Sequence, residues 1–171
     1  PDEVVALGAA IIIWTTTPWT LTANVALAVA PDEAYSLVRS PSEQIHELLI
    51  IASARVETVL GPGWEEVASF TGEQLVGLSY EPPYHTADSS YMHQVVTADY
   101  VSMDDGTGIV HTAPAHGPDD FNLCLKHGIK TFSTMNDAGI YSNEIPFFAG
   151  THIFKADDRI IEKLFESKSL L

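Results

Sequence analysis

Apolar residues in this chain occur in short runs that are separated by Pro, Asp, Asn and Ser. Within most runs the apolar residues either alternate with polar ones or follow one another for a few positions, which is typical of β-strands. The pattern predicts strands at residues 9–16, 25–30, 35–39, 48–52, 66–71, 93–97, 100–103 and 108–112. A tight turn, Asp104-Asp105-Gly106, is predicted between the last two strands.

Three stretches have signals of helices instead. Residues 53–60 precede Gly61-Pro62-Gly63, and a second helix is predicted from Pro118, which suits a first helical turn, to Gly128, which suits a helix end. A third, at 157–167, has Ile160, Ile161, Leu164 and Phe165 at the spacing of a core-facing stripe. The polar stretch 79–91 is predicted to be an exposed loop.

Many short strands with two or three helices favour a mainly β, α+β fold. We expect a closed or nearly closed β-barrel decorated by helices, since closure removes exposed sheet edges. There is no internal repeat and no shift in composition along the chain. Residues 1–171 are therefore predicted to form a single domain, although the order of its strands is not readable.

The bulk properties fit a globular domain. A chain of 171 residues, 46% hydrophobic and 18% charged, is long enough to bury about two-thirds of its unfolded surface. Its longest apolar run, residues 9–14, is too short to span a membrane. The single cysteine, Cys124, excludes an internal disulfide, and its leucine neighbours favour a small core residue over a nucleophile. The start at Pro1 favours an excised fragment, and a monomer is expected.

The chain is strongly acidic. Eight basic and 23 acidic residues give a formal charge of -15, which opposes strong autonomous binding to a phosphate backbone. We therefore expect weak affinity of the isolated chain for any nucleic acid.

Two distant segments carry the candidate chemistry. Residues 14–20, Trp-Thr-Thr-Thr-Pro-Trp-Thr, and residues 106–120, which end in Pro118-Asp119-Asp120, both follow apolar runs and are rich in small polar groups. The threonines suit either a strand or a binding loop, because Pro18 ends the ladder of backbone donors. Asp119 and Asp120 suit either a helix start or a pocket, and His111 suits either a structural role or a pocket wall.

Other familiar chemistries do not match the spacing. The chain has no third glycine after Gly106-x-Gly108, as a dinucleotide site requires, and no phosphate-loop lysine. His111 and His116 lie five residues apart, which is not a recognised zinc spacing. There is no Gly-x-Ser-x-Gly nucleophile motif.

The two segments together resemble the editing insertion of isoleucyl-tRNA synthetases, of the bacterial or organellar type. The resemblance lies in residues 13–24, which contain Thr-Thr-Thr-Pro-Trp, and in residues 106–120, which contain His-Thr-Ala-Pro. Related valyl and leucyl enzymes generally have arginine after paired threonines. Thr22 replaces a proline usual in the family, a change expected to loosen the turn before Asn24. By this resemblance residues 1–171 are an editing domain from a larger class I synthetase.

The resemblance implies hydrolysis of the ester that joins valine wrongly to isoleucine tRNA, with valyl-adenylate as a second candidate substrate. Isoleucine and valine differ by one methylene, which one binding site separates too weakly, and isoleucyl-tRNA synthetase is itself the standard example of this problem. A second pocket that accepts valine and excludes isoleucine solves it. The implied partners are the aminoacylated 3′ end of the tRNA, its valine moiety and the rest of the synthetase in cis.

The resemblance also implies residue roles. Asp120 holds the substrate α-ammonium, Thr16 and Thr17 bind the carbonyl region and position water, and Thr15 lies behind them. His111 and Trp19 form the steric wall, and Thr20 and Asn24 complete the binding set, with Asn24 on the adenosine side. No covalent nucleophile, metal or cofactor is implied for editing, since ATP and metal belong to the synthetic domains.

Two alternatives remain open from the sequence. One is a catalytically degenerate barrel that only binds the aminoacylated 3′ end. The other is a metal-dependent hydrolase that uses His93, His111 and His116. The expected compartment is the cytoplasm or the mitochondrial matrix.

Overall fold

The computed structural model describes residues 8–42, 48–85 and 93–171. These residues form strands and helices in the order in which the sequence predicts most of them. The strands are β1 Ala10–Ile11, β2 Ala26–Val29, β3 Ala34–Arg39, β4 Leu48–Ala52, β5 Glu65–Thr71, β6 Gln94–Thr97 and β7 Ile109–Thr112. The α-helices are α1 Val56–Leu60, α2 Gly72–Leu75, α3 Pro118–Lys126 and α4 Asp157–Glu166, and short 3₁₀ helices occupy Pro18–Ala23, Ser53–Arg55 and Ile153–Lys155.

The strands form two sheets, and the predicted closed or nearly closed barrel is wrong. One sheet has the order β1-β4-β3-β5 and the other the order β6-β2-β7, and neither of these sheets, as the described residues build them, closes on itself. The α+β class is correct. The argument for closure failed because the four-stranded sheet protects its edges in other ways: β1 has only two residues, and β5 begins with exposed Glu65 and Glu66.

Two predicted strands are not found at their full length. Of residues 9–16, only Ala10–Ile11 pairs as a strand, parallel to β4. Residues 100–103 are irregular, and the turn that follows is held by a side chain rather than by a strand partner. Arg55 donates from Nε to the Gly106 carbonyl at 2.9 Å and from Nη1 to the Asp104 carbonyl at 3.2 Å. The predicted loop 79–91 lies partly outside the described residues.

The described chain divides into two compact units. The first comprises residues 8–15, 26–42, 48–80 and 94–111, and the second comprises residues 16–25, 81–85, 93 and 112–171. Strand β7 crosses from the first unit into the second at its last residue, Thr112.

In the first unit the two sheets share one apolar core. Leu37 and Ile50 of the four-stranded sheet pack with Leu27, Val95 and Ile109 of the three-stranded sheet. The Tyr35 hydroxyl, fully buried, donates to the Gly108 carbonyl at 2.9 Å and accepts from the Ala30 N–H at 2.8 Å, so that its polar end is satisfied inside the core. The other face of the four-stranded sheet carries Val38, Leu49 and Ile51, which pack against α1.

The second unit places helices α3 and α4 around its own buried residues. Leu123 and Cys124 of α3 are buried, as are Ile160 and Leu164 of α4. The prediction that Ile161 and Phe165 also face the core is wrong, because their side chains are 43% and 75% exposed. Only part of the apolar stripe of α4 is therefore buried, and the rest is exposed. Among the described residues, no helix has the length and apolar character needed to cross a bilayer.

Candidate active site

The threonine segment enters the second unit as a 3₁₀ turn. Pro18 occupies its first position, and the Thr17 carbonyl accepts hydrogen bonds from the Thr20 N–H at 3.0 Å and the Thr20 hydroxyl at 2.9 Å. Thr20 is thereby buried, whereas Thr16 and Thr17 are exposed. The turn ends at Asn24, which is also buried. The turn thus buries Thr20 and Asn24 and leaves Thr16 and Thr17 exposed.

A buried hydroxyl cluster holds the carbonyl of Trp19. The Tyr141 hydroxyl donates to this oxygen at 2.8 Å, and the Thr22 hydroxyl donates to it at 3.1 Å. Thr22 Oγ1 is also 3.1 Å from Thr134 Oγ1, and because a hydroxyl has one proton, Thr134 must be the donor of that bond. Burial raises the pKa of Tyr141, so its phenol is a donor at neutral pH. Thr22 thus takes part in the hydrogen bonds that hold this turn, and the effect of its replacing the family's proline stays a prediction.

Asp120 lies in the first turn of α3 and faces back along the chain. Its Oδ2 accepts the Ala113 N–H at 2.8 Å, and no hydrogen bond from a described residue reaches Oδ1. Burial raises the pKa of the Asp120 carboxyl, the bond from Ala113 lowers it, and the charge of Asp119 raises it again. Asp119 itself is exposed. The result is a half-buried, oriented carboxylate that lacks a cationic partner among the described residues.

The turn between β7 and α3 contains two buried polar atoms that have no hydrogen-bond partner among the described residues. They are Thr112 Oγ1 and His116 Nε2. Burial lowers the pKa of His116, so its imidazole is neutral at pH 7. Most buried polar atoms are paired, and an unpaired pair beside an oriented carboxylate is typical of a site that receives a ligand or water.

The two sequence segments meet within the second unit. The ring of Trp19 lies edge-on to the His116 ring, with centroids 5.1 Å apart and an interplanar angle of 75°. The Val25 N–H, just after the threonine turn, donates to the Thr112 carbonyl at 3.1 Å. Trp19 and the chain around Asp120 are therefore neighbours, although about a hundred residues separate them in the sequence.

Thr15 and His111 belong to the first unit. Thr15 is half-buried, and His111 is buried on β7. The second unit thus contains six of the eight predicted site residues: Thr16, Thr17, Trp19, Thr20, Asn24 and Asp120.

Three residues that shape this site have no strong signal in the sequence. Thr134 and Tyr141 reach the threonine turn from 112 and 122 residues away, and nothing in their local pattern signals that contact. His116 stood out only as a second histidine in the His-Thr-Ala-Pro-Ala-His stretch. Its role as the ring against Trp19 became visible only in the fold.

Nucleophilic cysteine chemistry finds no support in the geometry. Cys124 is fully buried on α3, as predicted, and burial together with the Asp120 charge raises the pKa of its thiol to about 11. Across residues 8–42, 48–85 and 93–171, no three His, Cys, Asp or Glu side chains are grouped so as to hold a metal ion.

Comparison with known proteins identifies the segment. The chain is 41% identical to the isoleucine–tRNA ligase of Pelagibacter ubique over 94% of its own length and 18% of the ligase. It is 41% identical to the enzyme of Archaeoglobus fulgidus, over 94% of the chain and 16% of the ligase, and 42% identical to that of Bordetella petrii, over 95% and 18%. This chain is a homologue of one segment of isoleucine–tRNA ligases. It spans less than a fifth of the length of these relatives, and no family model matches it.

Solved structures agree on the fold. The editing domain of the P. knowlesi cytosolic leucyl-tRNA synthetase has a TM-score of 0.67 at 12% identity, and covers 98% of this chain and 84% of its own. GlLeuRS-CP1 has a TM-score of 0.72 at 16% identity, with coverage of 98% and 86%. The predicted resemblance to the synthetase editing segment is therefore confirmed.

Proposed function

We propose that this chain is the editing domain of a larger class I isoleucyl-tRNA synthetase, and that it removes valine from mischarged isoleucine tRNA by hydrolysis. The observation that carries the proposal is the meeting of the threonine turn with the Asp120 turn in one unit, through Trp19 and His116. The isoleucine–tRNA ligase relatives and the editing-domain fold support the same reaction class.

Asp120 is the proposed recognition group for the α-ammonium of the substrate. Its Oδ2 is held by the Ala113 N–H, which leaves Oδ1 to accept from a ligand. A half-buried carboxylate next to a second carboxylate gains strongly from a cation, and the amino group of an aminoacyl ester is such a cation at neutral pH. This contact orients the ester with respect to the threonine turn.

Hydrolysis then requires only water and a polar cradle. Water attacks the ester carbonyl, the bond from the carbonyl carbon to the ribose oxygen breaks, and a proton from the water passes to that oxygen, giving free valine and uncharged tRNA. We assign the exposed Thr16 and Thr17 to the positioning of water and the binding of the carbonyl region. An ester is already activated, so orientation and oxyanion stabilisation supply the rate without a covalent nucleophile.

Trp19 is the proposed wall against isoleucine in the second unit. Its ring packs edge-on against His116, and its backbone carbonyl accepts a hydrogen bond from Tyr141, so both the ring and the main chain of Trp19 have a fixed neighbour. A rigid wall is what steric exclusion of one methylene requires. The resemblance assigns further roles to His111, Thr15, Thr20 and Asn24, and these stay predictions.

The test is deacylation of valyl- and isoleucyl-charged isoleucine tRNA by the purified chain. Asp120→Asn keeps the hydrogen-bond acceptor for Ala113 and removes the charge, and Asp119→Asn removes a charge from the adjacent exposed position as a matched control. We expect the wild type to hydrolyse the valyl ester and not the isoleucyl ester. Asp120→Asn should lower the rate by roughly 30-fold or more, the cost of losing a charged contact. Asp119→Asn should change the rate little.

Three results would contradict parts of the proposal. Equal rates for the two variants would remove Asp120 from the site. Loss of activity with a chelator would favour the metal-dependent hydrolase. Tight binding of a nonhydrolysable valyl-adenosine analogue without any turnover of the ester would identify a domain that only binds.

A further inference from the structure

A cleft of about 200 Å³ in the first unit is lined by none of the residues of the site described above. Trp14, Arg55, Asp105 and Gly106 are among the residues that line it. Its volume is below the ~300–1,000 Å³ of pockets that enclose a drug-sized ligand. The cleft therefore suits a flat group bound against one wall rather than an engulfed molecule.

Trp14 supplies an aromatic surface that is fixed yet open. Its side chain is 54% exposed, which is unusual for the largest apolar residue in a chain with a well-formed core. One side of the ring rests on Gly106, where an added Cβ would lie 3.4 Å from Trp14 Cε3 and 3.5 Å from Trp14 Cβ. Gly106 has a φ of +57°, so the turn both needs glycine and lets the indole approach the backbone closely.

Arg55 supplies a cation that is held in place by neutral groups. Its bonds to the carbonyls of Asp104 and Gly106 use two of the five guanidinium N–H donors. The ion pairs among the described residues are Arg39–Glu65 and Lys163–Glu166, so Arg55 is not neutralised by a described carboxylate in spite of the 23 acidic residues of the chain. An oriented, half-buried arginine with donors to spare is suited to a phosphate oxygen or a planar base.

We propose that this cleft binds one unpaired nucleotide of the tRNA acceptor end, with its base stacked on Trp14 and its phosphate or base edge on Arg55. Aromatic rings that stack on unpaired bases, together with arginine, are the usual means of holding single-stranded nucleic acid. The Asp105 carboxylate at the rim is suited to accept from an exocyclic amino group. Trp14 directly precedes the three threonines in the sequence. The identity of the ligand, a tRNA nucleotide, rests on the function proposed above.

Two substrates separate this contact from the hydrolytic site. Valyl-charged isoleucine tRNA carries the nucleotides that would reach the cleft, whereas valyl-adenosine, a ribose ester of adenosine alone, does not. We expect Trp14→Ala to raise KM for the charged tRNA by about 5- to 150-fold, the range reported for loss of one stacked base, with little change in kcat. Hydrolysis of valyl-adenosine should be unchanged, and Trp14→Phe should restore most of the affinity because it keeps a stacking ring.

Trp64→Phe is the matched control. Trp64 is half-buried, donates from Nε1 to the Leu60 carbonyl at 3.1 Å, and packs against the other face of the four-stranded sheet. This variant should leave KM for both substrates unchanged. An equal effect of Trp14→Ala on both substrates would overturn the proposal, because it would show that Trp14 acts through the fold and not through a nucleotide.

A direct binding measurement keeps the inference independent of catalysis. The three tryptophans give three indole N–H signals in an NMR spectrum, and the Trp14 signal is the one lost in Trp14→Phe. Titration with a three-nucleotide RNA that ends in cytidine-cytidine-adenosine should shift that signal, and Arg55→Lys should weaken the binding severalfold. No shift of the Trp14 signal at millimolar RNA would overturn the proposed nucleotide binding. If neither ester is hydrolysed, the proposed function fails, while this titration still shows whether the cleft binds a nucleotide.

Discussion

The hydroxyl cluster behind Trp19 offers the sharpest test of how this site is built. Tyr141 and Thr22 both donate to one acceptor, the Trp19 carbonyl, at 2.8 and 3.1 Å. Tyr141→Phe removes one donor but leaves the other, so the carbonyl stays satisfied. We expect a loss of about 1 kcal/mol in the free energy of unfolding, the usual net value of one hydrogen bond.

Removing both donors should cost more than the sum of the single losses. In the double variant Tyr141→Phe with Thr22→Val, the carbonyl of half-buried Trp19 loses both of its side-chain donors, so the second loss should cost more than the first. The double-mutant cycle should therefore give a coupling of about 0.5 kcal/mol or more. Urea unfolding measures it, provided that the slope with denaturant is unchanged.

Tyr84→Phe is a matched control in the same unit. The Tyr84 hydroxyl donates to the Ile160 carbonyl at 2.7 Å and does not touch Trp19. It should destabilise the protein by a similar amount while leaving the discrimination between valyl and isoleucyl esters intact, whereas Tyr141→Phe should weaken that discrimination. Strictly additive losses in the cycle, or an equal effect of the two tyrosine variants on discrimination, would refute the idea that the cluster positions Trp19.

Three further outcomes follow from the structure. Gly108→Ala should lower the free energy of unfolding by about 2–5 kcal/mol in urea, because φ is +70° and the new Cβ would lie 2.4 Å from Ala52 Cβ. Gly77→Ala is the control and should cost only about 1–2 kcal/mol, because φ is +82° there but no atom lies within 4 Å of the new Cβ. Equal losses for the two variants would contradict the steric explanation. Cys124 should resist thiol reagents at pH 8 until the chain unfolds, since burial and Asp120 raise its pKa to about 11; fast labelling of the folded protein would count against this. Burial lowers the pKa of His116 from 6.5, so its contribution to stability is complete above pH 6.5 and declines as the pH falls toward the pKa of the folded state. The His116→Gln variant should therefore lose less stability between pH 7 and pH 5 than the wild type. Parallel plots of stability against pH for the two proteins would refute the buried, neutral His116.

Local pattern predicted the strands well where both faces of the strand are buried. The residues of β3 and β4 alternate between two cores, with Leu37 and Ile50 on one side and Val38 and Ile51 on the other, and the sequence shows this as near-continuous apolar runs. Sheet closure failed as a prediction because it depends on which strands pair, and short or charged edges meet the same need. The strand predicted at residues 100–103 is absent, and the turn that follows is held by hydrogen bonds from Arg55, which is distant in the sequence.

Local pattern indicated the two segments of the candidate site but not the residues that hold them in place. Small polar groups after apolar runs indicated the threonine turn and the Asp120 turn, and the fold brings both into the second unit. The Tyr141 hydroxyl bonds to the Trp19 carbonyl from 122 residues away, and Thr134 bonds to Thr22 from 112 residues away. Such contacts leave no periodic signal, so only the fold reveals them.

The acidity of the chain is consistent with its proposed role once the two ends of the substrate are considered separately. A charge of -15 repels the phosphates of tRNA, whereas the α-ammonium of the amino acid is a cation that the same charge attracts. Burial and the neighbouring Asp119 raise the pKa of Asp120, and a carboxylate raised for these reasons is stabilised most by a cation. The field of the domain thus favours a substrate that points its amino group inward and its phosphates outward. N-acetyl-valyl-tRNA keeps the ester and the side chain but lacks the charge, so the wild type should hydrolyse it as slowly as Asp120→Asn hydrolyses valyl-tRNA. Hydrolysis of the acetylated and free substrates at one rate would show that orientation comes from elsewhere.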